Sequence, residues 1–218
     1  MPGLREEIYQ LLPGLDSMHW ARRDTIEIPA NWKFVFDGLE CYHCPYIHPG
    51  VMNSEDDYMA QDITSTEHGY YSTHVFRGNR EVIEGLRGTD EGQWVEGLES
   101  YDLNLWYLWP NTMLMAHPGK PNLKVAVAWP QRPDLTIRHI DQVLTTPEPT
   151  ATDLAQIERH LTVFAQDVEA MAGQQIGVRA RGYRQGRLMI DRERSWRSEH
   201  ATHHFQSLVW KAMHDNLG

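Results

Sequence analysis

The feature that most limits the fold is a change of period along the chain. Between Asp62 and Thr145 the sequence reads as short apolar runs cut by turn residues. From Thr150 onward it reads as helix. Candidate strands fall at 69–76, 102–109, 112–116, 123–129 and 135–144. The breaks are Gly78-Asn79, Gly88, Gly92, Trp109-Pro110-Asn111, Pro118-Gly119 and Trp129-Pro130, all residue types that favour turns through a permissive or fixed φ. Adjacent strands on short connections predict an antiparallel meander. In the helix, Leu154, Ile157, Leu161, Phe164, Val168 and Met171 step by three and four, one face of a 3.6-residue period. Thr150 or Thr152 starts it, and Gly173 or Gly177 ends it. A meander followed by one long amphipathic helix predicts an α+β domain in which a curved antiparallel sheet grips that helix.

The flanks fit the same plan. Leu4, Ile8, Leu11 and Leu12 predict a short helix stopped by Pro13-Gly14, and 24–28 alternates like a short strand closed by Pro29. A closing helix over 200–217 would turn Phe205, Leu208, Val209, Met213 and Leu217 inward. The acidic stretch 52–57 reads as a loop, the Gly-rich charged stretch 78–97 as a mobile one, and the basic 182–197 as turns. We read residues 1–23 as a capping segment and 24–218 as the main domain. The 218 residues suffice for a single substantial core.

Charge narrows the partners. Twenty basic against thirty acidic residues give −10, a sign that disfavours phosphate backbones and anionic lipid surfaces alike. No apolar run approaches the roughly 18 residues needed to span a bilayer. Arg5, Glu6 and Glu7 interrupt any leader-like core at the N-terminus, so a cytoplasmic protein is expected.

Chemistry concentrates in Asn31 to Gly50, N-W-K-F-V-F-D-G-L-E-C-Y-H-C-P-Y-I-H-P-G. Asn31 can cap a helix running to just before Pro45, with Trp32, Phe36, Leu39 and His43 on one face. Pro45 would then break it and deliver His48 from a loop. Cys41 and Cys44 with His48 also fit a zinc pattern, although no fourth ligand lies nearby; packing is the better account of the two thiols. Asp167, three residues after Phe164, flanks the buried stripe of the long helix and must be paired, coordinated or turned to solvent. Trp94, Trp106, Trp109 and Trp129 could build an aromatic cage for a quaternary ammonium group, but at strand spacing plain sheet packing explains them.

N-W-K at 31–33, L-E-C-Y-H-C-P at 39–45 and H-P at 48–49 closely resemble the catalytic domain of Rieske non-haem iron ring-hydroxylating oxygenase α subunits. The C-Y-H-C-P variant resembles the subset acting on choline, betaine and carnitine. W-P-N at 109–111, Q-D-V-E-A-M-A-G-Q-Q at 166–175, G-R-L at 186–188 and H-H-F at 203–205 extend the likeness from about Asp24 to the C-terminus.

The resemblance implies a helix-grip, START-like catalytic domain with mononuclear Fe(II) held by His43, His48 and Asp167. It implies that Glu40 bridges the iron site to a Rieske centre in a neighbouring subunit. Asp37, Cys41, Tyr42, Cys44 and Gln175 would lie around the ligands, and Trp106, Trp109 and Phe164 would line the substrate pocket. Two His and one carboxylate would leave octahedral positions open for O₂ beside a small organic substrate, to be hydroxylated or demethylated by mono- or dioxygenation. Phe36-Asp37 and Gly38 depart from the family's Glu-Asn-aromatic pattern.

A Rieske [2Fe–2S] cluster needs Cys₂His₂ ligation, and no cysteine precedes Cys41. The Rieske domain is therefore expected to be absent, with electrons reaching the iron in trans from a Rieske ferredoxin, reductase or Rieske-bearing subunit. By resemblance the assembly would be a homotrimer. Two other accounts stay open: a metal-independent ligand-binding module on the same fold, and a piece of a longer α subunit.

Overall fold

The computed structural model describes residues 1–39, 44–48, 63–89 and 100–215. Among the described residues seven antiparallel strands form one sheet in the order β1-β7-β6-β5-β4-β3-β2. They are β1 (His19–Ile28), β2 (Ile63–His68), β3 (Tyr71–Phe76), β4 (Leu103–Leu108), β5 (Thr112–Ala116), β6 (Asn122–Arg132) and β7 (Leu135–Leu144). The helices are α1 (Leu4–Leu11), α2 (Cys44–Ile47), α3 (Arg80–Gly85), α4 (Ala151–Gly177) and α5 (His200–His214). Strands β2 to β7 follow one another as the predicted meander, and β1 closes the edge against β7.

Alternation along the strands sorts side chains to two faces. Leu105 and Tyr107 of β4, Met113 and Met115 of β5, Ala126 and Ala128 of β6 and Ile140 of β7 point inward, with Phe36, Leu39 and Phe205. Trp106, Ala116 and Leu123 point the other way, where α1 covers them with Ile8 and Leu12. Glu7 of α1 fastens that cover, accepting from Trp106 Nε1 at 3.0 Å, Thr73 Oγ1 at 2.8 Å and the Tyr71 hydroxyl at 3.1 Å.

The long helix begins at a capping box. Thr150 Oγ1 accepts from the Asp153 N–H while the Asp153 carboxylate accepts from the Thr150 N–H at 2.8 Å. Ile157, Phe164 and Met171 are buried along its inner stripe, but Leu154 in the first turn is exposed. In α5, Phe205 and Leu208 are buried, whereas Met213 is exposed. Leu217 lies outside the described residues.

Several expectations are corrected. The strand expected at 24–28 begins at His19, so the sheet starts inside the segment read as a cap. Strand β2 was not expected, and Gly69-Tyr70 form the turn that joins it to β3. The stretch expected to be a loop contains α3, capped by Asn79 Oδ1 on the N–H groups of Glu81 and Val82. Pro130 does not end β6; the strand passes through it with a register shift before Arg132, as a bulge allows. Of the helix expected from Asn31 to before Pro45, the described residues 31–39 show a 3-10 turn over Trp32–Val35, capped by Asn31 as predicted. Asp37-Gly38 end it, glycine being a poor helix interior residue. Pro45 does not break a helix at its own position but lies inside α2 (Cys44–Ile47); residues 40–43 lie outside the described residues. The 52–57 stretch lies outside the described residues.

Candidate metal centre

Helix α2 packs against α4, and this contact sets two expected ligands face to face. His48 follows α2, its N–H donating to Cys44 O at 2.8 Å. It therefore comes from the end of a helical turn rather than from a free loop. Its ring is buried, 2% exposed. Asp167 extends from α4 on the flank of the stripe, and its Oδ1 lies 3.4 Å from His48 Nε2. On the other side of the ring, His48 Nδ1 lies 3.0 Å from Gln166 Oε1.

This arrangement orients the imidazole. With the proton on Nδ1 donating to Gln166, Nε2 presents a lone pair to a carboxylate, and two acceptors face one another. A proton on Nε2 or a metal ion between them resolves that conflict. Ligands about 2.1 Å from one ion and 90–110° apart lie about 3.0–3.4 Å from each other, so the observed separation suits a shared ion. Burial pushes the Asp167 carboxyl up, and His48 and Arg138 pull it partly back. The Asp167 side chain keeps 37% of its surface exposed, so the carboxylate is only partly desolvated. Among the described residues no group of three His, Cys, Asp or Glu side chains comes together as a metal site. His43, the third expected ligand, lies outside them, as do Glu40, Cys41, Tyr42 and Trp94.

The remaining expected residues scatter. Cys44 is buried in the inner core. Asp37 ties the turn before the motif to α5, its Oδ1 accepting from Gln206 Nε2 at 2.7 Å and its carbonyl from Thr202 Oγ1 at 3.2 Å. Gln175 lies two further turns along α4 from Asp167, about 12 Å at 1.5 Å per residue, and accepts from the Asn31 N–H at 2.8 Å. It fastens the N-W-K segment to the helix instead of touching His48. Phe164 is one turn from Asp167, with the Arg138 guanidinium 4.3 Å above its ring. Trp109 packs edge-on to Trp32 and near Phe205 in the inner cluster. Trp106 faces α1 on the opposite side of the sheet, and Trp129 is exposed. Trp106, Trp109 and Trp129 therefore form no cage, in keeping with sheet packing.

The family model for the ring hydroxylating alpha subunit (catalytic domain) matches residues 15–215. The chain belongs to this family. The carnitine monooxygenase oxygenase subunit of Escherichia coli (strain K12) is 32% identical over 222 residues, covering 99% of this chain and 55% of that protein. A solved structure of the quaternary ammonium Rieske monooxygenase CntA in complex with L-carnitine is 30% identical, with a TM-score of 0.76 over 96% of this chain and 53% of that one. A second, of a quaternary ammonium Rieske monooxygenase described with inter-subunit electron transfer, gives 30% and 0.77 over 95% and 54%. The chain thus spans about half the length of the curated relatives it matches. Membership of the ring-hydroxylating family accounts for the α+β fold and implies non-haem iron and O₂ chemistry. Among the described residues no helix is long and apolar enough to cross a membrane.

Sequence reasoning did not single out Gln166, although it adjoins Asp167. It also missed a polar row beneath α4. Asp153, His160 and Asp167 recur every seven residues on one flank of the helix. Lys124 and Arg138, both buried, rise toward that flank from the inner face of the sheet. Their signal was legible as phase, since Lys124 is in step with Ala126 and Ala128, and Arg138 with Ile140.

Proposed function

We propose that this chain is the catalytic domain of a Rieske-type oxygenase that hydroxylates a small quaternary ammonium substrate by monooxygenation. The observation that carries the reading is the His48–Asp167 pair, 3.4 Å apart with the imidazole fixed from behind by Gln166. His43 would complete the ligand set. Ferrous iron held by two imidazoles and one carboxylate supplies positions at which O₂ can bind beside an unligated substrate.

The chain's own residues prepare that site. Gln166 holds the His48 proton on Nδ1, so Nε2 is available as a ligand. The apolar wall of Phe36, Tyr107, Trp109 and Phe205 restricts water on one side. Arg138, stacked on Phe164, places positive charge within reach of Asp167 and limits the carboxylate's charge toward the substrate.

Electrons would come from a Rieske [2Fe–2S] centre carried by another subunit or domain, passing by Glu40, in a homo-oligomer for which a trimer is our reading. The relatives' descriptions as Rieske monooxygenases, one with inter-subunit electron transfer, support this assignment. The cytoplasmic expectation belongs to the same reading. Iron-loaded protein mixed with L-carnitine, O₂ and a reduced Rieske partner is expected to consume O₂ in step with product. Oxygen uptake that is independent of the organic substrate, or that survives His48→Ala, contradicts the reading.

A further inference from the structure

Helix α4 and the sheet interleave a row of five groups: Asp153, Lys124, His160, Arg138 and Asp167. Lys124 interacts electrostatically with Asp24 and Asp153, His160 with both Lys124 and Arg138, and Arg138 with Asp167. The two acids end the row and are already engaged, Asp153 in the capping box and Asp167 toward His48. Between them the row carries the Lys124 amine, the His160 ring and the Arg138 guanidinium, and Asp24, bound by Arg22 and Gln142, faces Lys124 from β1. Lys124 is 1% exposed, and its Nζ has no hydrogen-bond partner. Arg138 is buried as well, held by the Met113 sulfur at 3.2 Å and the Phe164 face.

Between Lys124 and Arg138 stands His160, burial holding it well below the usual imidazole range, so it is neutral. Its buried Nδ1 has no partner. His117 packs edge-on against it at 4.8 Å, and His117 Nε2 is a third buried atom without a partner. Gln142, opposite Lys124 in register, donates to Asp24 while its Oε1 stays unpaired. Native interiors rarely leave so many polar atoms unpaired, and each costs stability. Three of the four can be donors, which selects an acceptor, and the Arg138 guanidinium beside them selects a negative one. His160 lies two helical turns from Asp167, about 10 Å along the axis, so a short ligand can reach both.

We propose that Lys124, His160 and Arg138 seat the carboxylate of a short organic acid whose opposite end lies at the His48–Asp167 centre. This rests on the oxygenase reading of that centre and adds the substrate's acid group to it. Gln142 Oε1 is then available to a hydroxyl or ammonium donor, or to water.

The test is calorimetric binding to chelator-treated protein, which separates the acid seat from iron and turnover. L-Carnitine and butyrate, which carry the carboxylate, are compared with choline, which keeps the quaternary ammonium and lacks it. Wild type should bind L-carnitine tightest. Lys124→Met and His160→Asp should each weaken L-carnitine by about 10- to 100-fold, the range for one hydrogen bond to a charged group, and leave choline unchanged. His160→Asp is the decisive variant, because it supplies the missing negative charge internally. Equal binding of choline and L-carnitine by wild type, no saturable binding of either acid, or unchanged binding in both variants overturns the proposal and leaves a row filled by water only. Iron content is measured on parallel aliquots of the same protein that are reloaded anaerobically with Fe(II) and desalted. Acid binding without iron loading rejects the oxygenase reading alone, whereas iron loading without acid binding rejects the seat alone.

Discussion

His48 Nε2 and Asp167 Oδ1 face each other at 3.4 Å, one from the end of a single helical turn and the other from the middle of the longest helix. Their approach depends on what fixes the ring and on what seats α4 against the sheet. Both dependences can be measured.

Gln166 holds the ring from behind. Replacing it with Ala frees Nδ1 and allows the wrong tautomer. We expect Fe(II) or Co(II) affinity to fall by about 10- to 100-fold, as for partners of metal-bound histidines, with thermal stability nearly unchanged. Metal titration followed by the Co(II) visible spectrum reads this directly; an unchanged affinity would show that the contact is incidental.

The capping box fixes where α4 begins. Thr150→Ala removes the Oγ1 acceptor on the Asp153 N–H and should cost about 1 kcal/mol. In a chain of this size that is about 2–4 °C in Tm. Thr150→Ser should recover most of the loss. A Ser variant as unstable as Ala would place the effect in packing rather than the cap.

Phe205 joins Trp32, Phe36, Tyr107 and Trp109 across the inner core. Phe205→Ala should cost about 3–5 kcal/mol, read from the urea midpoint. A loss below about 1 kcal/mol would mean that α5 adds little to the core.

Burial pushes Lys124 down to about 7, partly offset by Asp24 and Asp153. The other groups facing it, His117 and His160, are held neutral by burial. Unfolded, the amine titrates near 10.4. Between those values the unfolded chain binds a proton that the native chain does not, so this residue makes stability rise with pH across that window. Lys124→Met should therefore be more stable than wild type at about pH 7, with the gap closing toward about pH 10. Calorimetric scans at both pH values check it, and parallel curves would show that Lys124 is charged and paired in the native state.

The strand meander was legible because Trp109-Pro110-Asn111 and Pro118-Gly119 interrupt apolar alternation at points where the chain turns. The long helix was legible because its stripe runs unbroken into a Thr cap. What could not be read is orientation. The 31–39 stretch has helical spacing, yet it makes one 3-10 turn before Asp37-Gly38, where Gln206 and Thr202 of α5 bond to Asp37, a contact the spacing does not show. Trp106 and Trp109 looked equivalent in sequence, but strand parity sends Trp106 to the α1 side. Lys124 and Arg138 were passed over because a charged residue in a strand ordinarily faces water; only the register puts both under α4.

The central claim is that His48 and Asp167 share one metal ion. Anaerobic Fe(II) loading of the purified chain, followed by desalting and elemental analysis, measures this most directly. The account predicts about one iron per chain, as one ligand triad holds, and a large loss in His48→Ala and Asp167→Ala that keep their far-UV circular dichroism. No retained iron in the wild type, or equal loading in both variants, would contradict it.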